Sequence, residues 1–478
     1  MMSPIGSLSP FSGTKGAPIS QWLMALDNSM PELRSISLPA PVTGAVGVDG
    51  PRVMIETHGC KLNMADSQRM AREFVSAGYA IAADGETPDV FVLDSCTVTH
   101  VADRKARQAL SKARRAYPEA LIVATGCMSQ RDPGEVDALD AVDLVVTNQQ
   151  KLDITRTVTE RLGVSLTPCA EGVLPAGSGA LLGRSRASLK IQEGCDQVCA
   201  YCIVPRVRGR ERSVPADMLV RQVARLVDEG AREVVLTGTQ LGSYGFDLPE
   251  TNLAAMLKRV LNETGIERLR VSSLQPVEIT DELLDIWPDE GEGRLCRHFH
   301  MALQSGSDAI LSRMRRRYTA DEFVLTVERV RSAVPEATIT GDAIAGFPGE
   351  TEVDHRSTLD VIERVGFADL HVFPYSERPG TSAAHLDDRV NHGVQTRRAA
   401  EIRELASGLS RSFRENAIGG VAPVLWENNA PATGLTDTYL RVRRNSSDLP
   451  ASVPALENVI ERVRLVRLDG DVLEGEPV

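Results

Sequence analysis

Cysteine, aromatic residues and net positive charge are all scarce in this sequence. Its 478 residues include 8 Cys, 3 Trp, 7 Tyr and 10 Phe, and the formal net charge is −12. The low cysteine content excludes a disulfide-rich scaffold, and the few aromatic residues argue against a protein that stacks single-stranded bases on exposed rings. The acidic balance excludes a uniformly basic surface, so any contact with nucleic acid must be local.

Long apolar runs and a recognisable targeting signal are missing as well. No window approaches the ~18 consecutive apolar residues that a membrane span requires. Residues 1–10 lack the basic and apolar regions of a secretory signal. We therefore expect a cytoplasmic protein without a membrane partner. Thiols stay reduced in the cytosol, so clustered cysteines there indicate metal or redox sites rather than disulfides.

The composition and residue pattern of the first third of the chain change twice. Residues 1–50 are rich in Ser, Pro, Gly and Ala, which predicts a disordered extension. From residue 51 to 164, short β-branched runs alternate with amphipathic helical stretches, and this alternation predicts a parallel sheet with helices on both faces. Its predicted strands are 52–57, 89–94, 120–125 and 143–147. Residues 165–185 contain several Pro and Gly, lack periodicity, and are predicted to be a linker.

A longer alternation of strands and helices follows over residues 186–416. Its predicted strands are 187–192, 233–237, 268–273, 298–303, 338–344 and 369–373. Six βα units predict an open or partial barrel whose active site lies at the carboxyl ends of the strands. Residues 417–478 predict a small all-β domain instead, with strands at 420–427, 437–444, 458–468 and 472–474 and a hairpin signal at Asp469-Gly470. The expected fold class is α/β with this small β domain added.

The strongest functional signal is the Cys-x3-Cys-x2-Cys spacing of Cys195, Cys199 and Cys202, called the Cys195 triad below. Three closely spaced thiolates can hold three irons of a [4Fe-4S] cluster and leave the fourth iron open. An open iron after the first barrel strand can bind the amino and carboxylate groups of S-adenosylmethionine and reduce its sulfonium to give a 5′-deoxyadenosyl radical. A zinc knuckle is the alternative, but no fourth Cys or His follows closely in the sequence.

Three further cysteines follow successive strands of the predicted N-terminal sheet: Cys60, Cys96 and Cys127, called the Cys60 triad below. Each lies two or three residues after a predicted strand. Because the carboxyl ends of parallel strands face one edge of a sheet, the three thiols are expected to converge on a second iron–sulfur cluster. Three buried structural thiols are the alternative. Cys169 and Cys296 have no partner at a useful spacing and are predicted to be structural or incidental.

Several motifs together resemble the radical-SAM methylthiotransferase family. Besides the three-cysteine loop, they are Gly-Cys-Lys-Leu-Asn at 59–63, Ser-Cys-Thr-Val-Thr at 95–99, Ala-Asp-Arg-Lys at 102–105, Thr-Gly-Cys at 125–127, Leu-Gln-Ser-Gly-Ser-Asp at 303–308, Gly-Phe-Pro-Gly-Glu-Thr at 346–351 and Phe-Pro-Tyr-Ser at 373–376. The resemblance covers residues 51–478 in the same order. It implies a flavodoxin-like N-terminal domain with an auxiliary [4Fe-4S] cluster, a radical-SAM partial TIM barrel, and a C-terminal TRAM domain that holds substrate.

Within this family, the motifs around Cys60 and Cys96 are most similar to the branch that acts on N6-threonylcarbamoyladenosine beside the anticodon of tRNA. The resemblance implies that one S-adenosylmethionine methylates a sulfur carried on the auxiliary cluster of the Cys60 triad. A second one is cleaved at the Cys195 triad, and sulfur is transferred to the adenine ring. The expected partners are the anticodon stem-loop of tRNA, S-adenosylmethionine, and a reductant such as flavodoxin or ferredoxin.

Other residues are predicted to place the cofactor. They are Tyr201 in the three-cysteine loop and, after predicted strands, Gly238, Thr239, Gly346 and Phe347. Glycine at a strand end lets the backbone approach a ligand closely, although simple turns are the alternative. Arg316 matches a family position and is predicted to bind a carboxylate or a phosphate, with a solvated helix face as the alternative.

Positive charge is concentrated in three segments beside the predicted site loops: 103–115 with a net +5, 206–212 with +3 and 313–317 with +4. These segments are predicted to contact tRNA phosphates.

Other functions stay open on the sequence alone. They are methylthiolation of isopentenyladenosine in tRNA or of a ribosomal-protein aspartate and, without catalysis, an iron–sulfur redox sensor or a zinc-stabilised RNA-binding module.

Overall fold

The computed structural model describes residues 50–82, 85–167, 185–429, 432–444 and 456–478. Apart from Gly50, the predicted extension lies outside these ranges, as do most of the predicted linker 165–185 and Cys169. Within the described ranges, no helix combines the length and the apolar character needed to cross a membrane.

The N-terminal region is a parallel sheet between helices. Its strands are β1 Arg52–Thr57, β2 Ala80–Ile81, β3 Val90–Ser95, β4 Leu121–Gly126 and β5 Leu144–Val146. Its helices are α1 Lys61–Ser76, α2 His100–Ala116, α3 Cys127–Arg131, α4 Pro133–Asp137 and α5 Ile154–Leu162. The strands pair in parallel in the order β2-β1-β3-β4-β5. The four predicted strands are confirmed, whereas the edge strand β2 is too short to show a pattern.

The amino-acid types along β3 and at the start of α2 explain how this sheet is packed between helices. Strand β3 is buried along its whole length, as expected of an inner parallel strand between two helical layers. Its neighbours Val92 and Leu93 point to opposite faces and join separate apolar clusters. The side chain of Thr99 caps α2 by accepting a hydrogen bond from the Ala102 amide at 3.1 Å.

The central region alternates strands and helices. Its strands are β6 Arg186–Lys190, β7 Gln192–Glu193, β8 Arg212–Ser213, β9 Glu233–Thr237, β10 Arg268–Val271, β11 Ser273–Leu274, β12 His298–Met301, β13 Thr338–Ala345 and β14 Asp369–Pro374. Its helices are α6 Val204–Arg208, α7 Ala216–Asp228, α8 Leu253–Glu263, α9 Asp281–Leu284, α10 Asp308–Arg313, α11 Ala320–Ala333, α12 Glu352–Val365 and α13 His392–Asn416. A strand is present at each of the six predicted positions.

The parallel strands of this region form two sheets instead of one continuous sheet. Strands β6, β9 and β10 pair in the order β10-β9-β6, and β11 to β14 pair in chain order. An isolated bridge between Leu269 and Leu295 marks where the two sheets approach each other. Helices cover one face of both sheets, and a shared apolar core that includes Leu236, Phe299 and Ile339 lies between them.

The C-terminal region is a small closed barrel, which confirms the predicted small β domain. Its strands are β15 Val421–Asn429, β16 Ala432–Thr436, β17 Arg441–Arg444, β18 Ile460–Asp469 and β19 Val472–Pro477, closed in the order β15-β16-β17-β19-β18. The strand predicted at 437–444 is wrong in its first half, because residues 437–440 form a turn after the unpredicted β16. The hairpin turn is Gly470 and Asp471, one residue later than predicted, between the paired residues Asp469 and Val472.

Candidate active site

The Cys60 triad lies along one edge of the N-terminal sheet. Cys60 follows β1 by three residues, and Cys96 and Cys127 come directly after β3 and β4. Because these strands are parallel neighbours, their carboxyl ends bring the three thiols together, and Cys60 acts electrostatically on both Cys96 and Cys127. Cys96 and Cys127 are buried while Cys60 is exposed, so the triad is open on the Cys60 side.

Gly126 and Asn63 set the spacing within this triad. Gly126 adopts a φ of 96°, and a Cβ atom there would lie 2.3 Å from the Ser95 carbonyl oxygen, so only glycine lets Cys127 approach Cys96. The Asn63 side chain donates to the same carbonyl at 3.2 Å and accepts from the Cys60 thiol at 3.5 Å. One amide therefore connects Cys60 to the strand end that carries Cys96.

Buried ion pairs surround the Cys60 triad. Nε of Arg208 donates to the sulfur of Cys127 at 3.2 Å, and its Nη1 donates to Asp66 at 2.8 Å. Lys151 lies 3.2 Å from Asp66 and 2.9 Å from Asp94. Burial alone would raise the pKa of Asp66, but nearby cations, chiefly Lys151, lower that pKa well below its ordinary value. Asp66 is therefore an ionised carboxylate that orients Arg208 toward Cys127.

The donor set of the Cys60 triad fits an iron–sulfur cluster. Burial raises the pKa of Cys96 and of Cys127, and the Arg208 guanidinium opposes that shift at Cys127. Cysteines ligate iron as thiolates, so a bound cluster adds negative charge to a buried site. Arg208 and Lys151 provide positive charge at the place where that negative charge would lie.

The Cys195 triad lies in a loop that a short hairpin closes. Strands β7 and β8 pair in antiparallel fashion and enclose residues 194–211. Gly194 adopts a φ of 81°, and a Cβ atom there would lie 1.9 Å from the Arg210 carbonyl oxygen, so the closure requires glycine. Cys199 acts electrostatically on both Cys195 and Cys202, which shows that the three thiols of this loop are near one another.

Arg316 lies against this triad. Its Nη1 atom is 3.5 Å from the sulfur of Cys199, and its Nε donates to the Tyr318 hydroxyl at 3.1 Å. Its Nη2 is buried and has no hydrogen-bond partner within the described part of the chain. Burial raises the pKa of Cys195 to about 11 and that of Cys202 to about 12. The guanidinium therefore supplies charge that thiolates need, and Nη2 is available to a carboxylate.

Gly238 and Thr239 support the cysteine loop from the turn after β9. The Thr239 amide donates to the side-chain oxygen of Gln192 at 3.0 Å, and the Thr239 hydroxyl accepts from the Gly194 amide at 3.1 Å. A Cβ atom on Gly238 would lie 3.0 Å from Gln192. The turn therefore holds the segment that immediately precedes Cys195.

Tyr201, Gly346 and Phe347 lie together at the carboxyl end of β13. The ring of Phe347 meets that of Tyr201 edge-on at 6.5 Å and that of Tyr375 at 5.3 Å. Gly346 has a φ of 73°, and its amide donates to Glu350 at 3.0 Å. The three predicted residues are thus brought beside the three-cysteine loop, with an aromatic group that packs against Tyr201.

Sequence reasoning missed the residues that hold the Cys60 triad, namely Asn63, Asp66, Lys151 and Arg208. Arg208 falls in the basic segment 206–212, which was predicted to contact phosphates. The structure buries Arg208 against Cys127 instead, while Arg210 and Arg212 of the same segment are exposed. The available signal was its position in the three-cysteine loop, six residues after Cys202.

As they stand, the thiols do not form a closed metal-binding group. Within residues 50–82, 85–167, 185–429, 432–444 and 456–478, no three His, Cys, Asp or Glu side chains are arranged to hold a metal ion. The case for iron–sulfur chemistry rests on the donors, since each triad offers three cysteines and an adjacent arginine.

Comparison with known families matches two segments of the chain. Residues 52–147 match the family described as "Uncharacterized protein family UPF0004", and residues 189–362 match the radical SAM superfamily. The threonylcarbamoyladenosine tRNA methylthiotransferase MtaB of Bacillus subtilis is 36% identical over 82% of this chain and 89% of its own length. This chain belongs to the radical-SAM methylthiotransferase family. The resemblance stated from the sequence motifs is therefore confirmed.

Other members of the methylthiotransferase family match to a similar extent. The protein of the same name from Aquifex aeolicus is 36% identical over 82% of this chain and 96% of its own length. The tRNA-2-methylthio-N(6)-dimethylallyladenosine synthase of Syntrophotalea carbinolica is 33% identical over 79% of this chain and 88% of its own. The protein is thus an enzyme, and its radical SAM chemistry implies S-adenosylmethionine and a [4Fe-4S] cluster.

A solved structure supports the fold of this methylthiotransferase. The radical S-adenosylmethionine methyltransferase TsrM from Kitasatospora setae aligns with a TM-score of 0.50 and 13% identity, covering 70% of this chain and 77% of that chain. At this level of identity the similarity shows the radical SAM fold alone.

Proposed function

We propose that this methylthiotransferase converts N6-threonylcarbamoyladenosine, next to the anticodon of tRNA, to its 2-methylthio derivative. The observation that carries the proposal is the pair of thiol triads. Each triad has three cysteines beside an arginine, and Arg208 connects the two, because it lies in the loop of the Cys195 triad and contacts Cys127. Relatives from several bacteria are named for this modification, which supports the choice of substrate.

Two [4Fe-4S] clusters suit these residues. In this proposal the Cys195 triad holds the cluster that binds S-adenosylmethionine, since three thiolates leave one iron open, and the Cys60 triad holds an auxiliary cluster. Arg316 Nη2 is the donor available to the carboxylate of S-adenosylmethionine. When bound, these groups supply one-electron reduction, hydrogen abstraction and the sulfur that is transferred.

The chain's own residues position these groups and limit the access of water. Gly238 and Thr239 hold the start of the cysteine loop, and Phe347, which follows Gly346, packs against Tyr201 behind it. At the auxiliary site, burial of Cys96 and Cys127 closes one side, and the exposed Cys60 leaves the other side to the substrate.

We assign the finer fold from the order of the strands. The N-terminal order β2-β1-β3-β4-β5 is that of flavodoxin-like sheets and supports such a domain over residues 51–164. The parallel strands of the two central sheets follow chain order, with only Ser272 between β10 and β11, and this order supports a partial TIM barrel over 186–416. The closed barrel supports a TRAM domain over 417–478. The assignments of residues 1–50 as an extension and of residues 165–185 as a linker are based on composition.

Exposed basic residues of the predicted basic segments are the proposed phosphate contacts. In segment 103–115 they include Arg104, Lys112 and Arg115, and in segment 206–212 they include Arg210 and Arg212. Such contacts let a chain of net charge −12 hold an anticodon stem-loop locally. We expect the reaction to take place in the cytoplasm with flavodoxin or ferredoxin as reductant.

Nucleoside mass spectrometry of tRNA tests the proposed function. A deletion strain should lose 2-methylthio-N6-threonylcarbamoyladenosine, and the wild-type chain should restore it, whereas Cys127→Ala should not. Cys296→Ala is the matched control, because Cys296 is buried outside both triads. Loss of the dimethylallyl derivative instead would reassign the substrate, and so would unchanged tRNA nucleosides together with loss of a modified ribosomal-protein aspartate in peptide mass spectrometry.

Metal analysis tests the cofactors separately. Protein reconstituted without oxygen should contain about eight irons per chain, and replacement of the Cys60 triad by alanine should leave about four. Zinc without iron, and no 5′-deoxyadenosine formed from S-adenosylmethionine, would favour a zinc-stabilised binding module. Iron without 5′-deoxyadenosine would favour a redox sensor.

A further inference from the structure

The strands of the central region have one apolar and one polar face. Alternate residues, such as Leu269, Phe299 and Ile339, pack into the helix-covered core. Side chains on the opposite face, called the polar face here, include Glu233, Arg270, His298, His300, Asp342 and His371. Parallel strands are usually apolar on both faces, so this alternation indicates that the polar face serves polar chemistry.

Most charges on the polar face are paired within the protein. Glu233 lies 2.8 Å from Arg270. Asp342 lies 3.1 Å from Nε2 of His300 and 3.2 Å from Nδ1 of His371. The hydrogen bond to Asp342 raises the pKa of His371. The polar face therefore holds both hydrogen-bond donors and acceptors in fixed positions, with its carboxylates already bonded to arginine or histidine side chains.

Lys61 is an exception to this pairing. Its ammonium lies 5.4 Å from the centre of the Tyr439 ring, which is stacked on His298 with 4.4 Å between the ring centres. In the part of the chain that the structure describes, no carboxylate is within salt-bridge distance of this ammonium. Lys61 directly follows Cys60. A cation whose contact is an aromatic ring, with no carboxylate among its described neighbours, thus lies between the Cys60 triad and the polar face.

We propose that Lys61 binds the carboxylate of the threonylcarbamoyl substituent on the substrate adenine, and that the partly exposed His300 and His371 of the polar face contact the polar remainder of that substituent. The inference rests on the proposed function, since it names the residue by which that function selects its substrate. N6-threonylcarbamoyladenosine carries a free carboxylate, a hydroxyl and a carbamoyl group, each of which requires a polar partner when it leaves water.

The same residues would reject an apolar substituent. A dimethylallyl group in this position would remove water from the Lys61 ammonium and from the histidines without replacing its hydrogen bonds. A site discriminates strongly against a ligand that leaves its buried polar groups without hydrogen bonds. It discriminates less against a ligand that only differs in shape within an apolar pocket. Lys61 and the polar face therefore account for selection between the two substrates after which relatives of this chain are named.

Equilibrium binding of synthetic anticodon stem-loops to the reconstituted holoenzyme tests this assignment. One RNA carries N6-threonylcarbamoyladenosine, and the other carries its methyl ester, which removes the negative charge and adds one methyl group. The wild-type protein should bind the acid about 10- to 100-fold more tightly, as expected for one charged hydrogen bond. Lys61→Gln should remove this preference, and Lys61→Arg should retain most of it.

Lys258→Gln is the matched control, because Lys258 is a half-exposed lysine on α8 that pairs with Glu290 at 3.5 Å. It should keep the full preference for the acid. Iron content of the Lys61 variants should equal that of the wild type, which separates a binding role from loss of the nearby cluster.

Equal binding of acid and ester by the wild type, or an unchanged preference in Lys61→Gln, would overturn the assignment. Neither result needs a variant activity assay. A failure of the proposed function has a different signature: the wild-type enzyme would methylthiolate the dimethylallyl RNA and leave the threonylcarbamoyl RNA unchanged. If it modifies the threonylcarbamoyl RNA without distinguishing acid from ester, only the role of Lys61 is refuted.

Discussion

Replacing Glu233 with glutamine should loosen the C-terminal barrel from the central region. Glu233 is fully buried and lies 2.8 Å from Arg270 and 2.9 Å from Arg268. Arg270 in turn donates to the carbonyl oxygens of Thr436 at 3.0 Å and Asp437 at 2.9 Å. One carboxylate therefore orients arginines that hold the turn after β16.

The size of the effect follows from the pKa of Glu233. Burial opposes ionisation, but the three arginines around it, Arg270, Arg268 and Arg186, lower the pKa from 4.5 to about 2. This difference in pKa corresponds to about 3 kcal/mol of folding free energy at neutral pH. That value is close to the ~3–5 kcal/mol expected when one partner of a buried ion pair is removed. Because the folded-state pKa is lowered, this stabilisation is complete above about pH 4.5 and is lost as the pH falls through about 2.

Hydrogen exchange and urea unfolding check this prediction. In Glu233→Gln, amides of residues 432–444 should exchange faster at neutral pH, and the urea midpoint should fall. Glu263→Gln is the control, since Glu263 forms an exposed pair with Arg259 on α8 and should leave both measurements unchanged. If Glu233→Gln matches the wild type in both measurements, the arginines do not depend on Glu233 and the reasoning is wrong.

Three further changes test the two triads. Gly126→Ala should lower the iron content from about eight to about four per chain, because its Cβ would collide with the Ser95 carbonyl; an unchanged iron content would contradict this. Arg208→Met should speed the loss of auxiliary iron to a chelator several-fold, with Arg210→Met as the exposed control. Arg316→Gln should raise the KM for S-adenosylmethionine in 5′-deoxyadenosine formation about tenfold or more while iron is retained, and an unchanged KM would remove Arg316 from that role.

The thiol triads could be placed from the sequence because two simple regularities apply. Cys195, Cys199 and Cys202 are close in the chain, so one loop brings them together. Cys60 and its partners are far apart in the chain, but each follows a parallel strand within one to three residues, which places all three at one edge of the sheet. Both arguments depend on local spacing and on strand direction, and neither requires knowledge of how distant surfaces pack.

Features that depend on packing between regions were not predictable in this way. The contact of Arg208 with Cys127 joins residues 81 positions apart and exists only because the cysteine loop docks on the N-terminal sheet. Tyr439 meets Lys61 and His298 from the C-terminal barrel for the same reason. Strand β16 was missed because its sequence contains Gly434 and follows Pro431, residues that usually indicate a loop.

The link between Arg208, Cys127 and Asp66 restricts how this enzyme can be recombined with its relatives. A chimera that takes residues 50–167 from one family member and the remainder from another would combine an arginine from one parent with a cysteine and a carboxylate from the other. Where the parents orient this arginine differently, both triads would be affected by a single exchange. The two regions are therefore expected to be inherited, and to be exchanged successfully in engineering, as one unit.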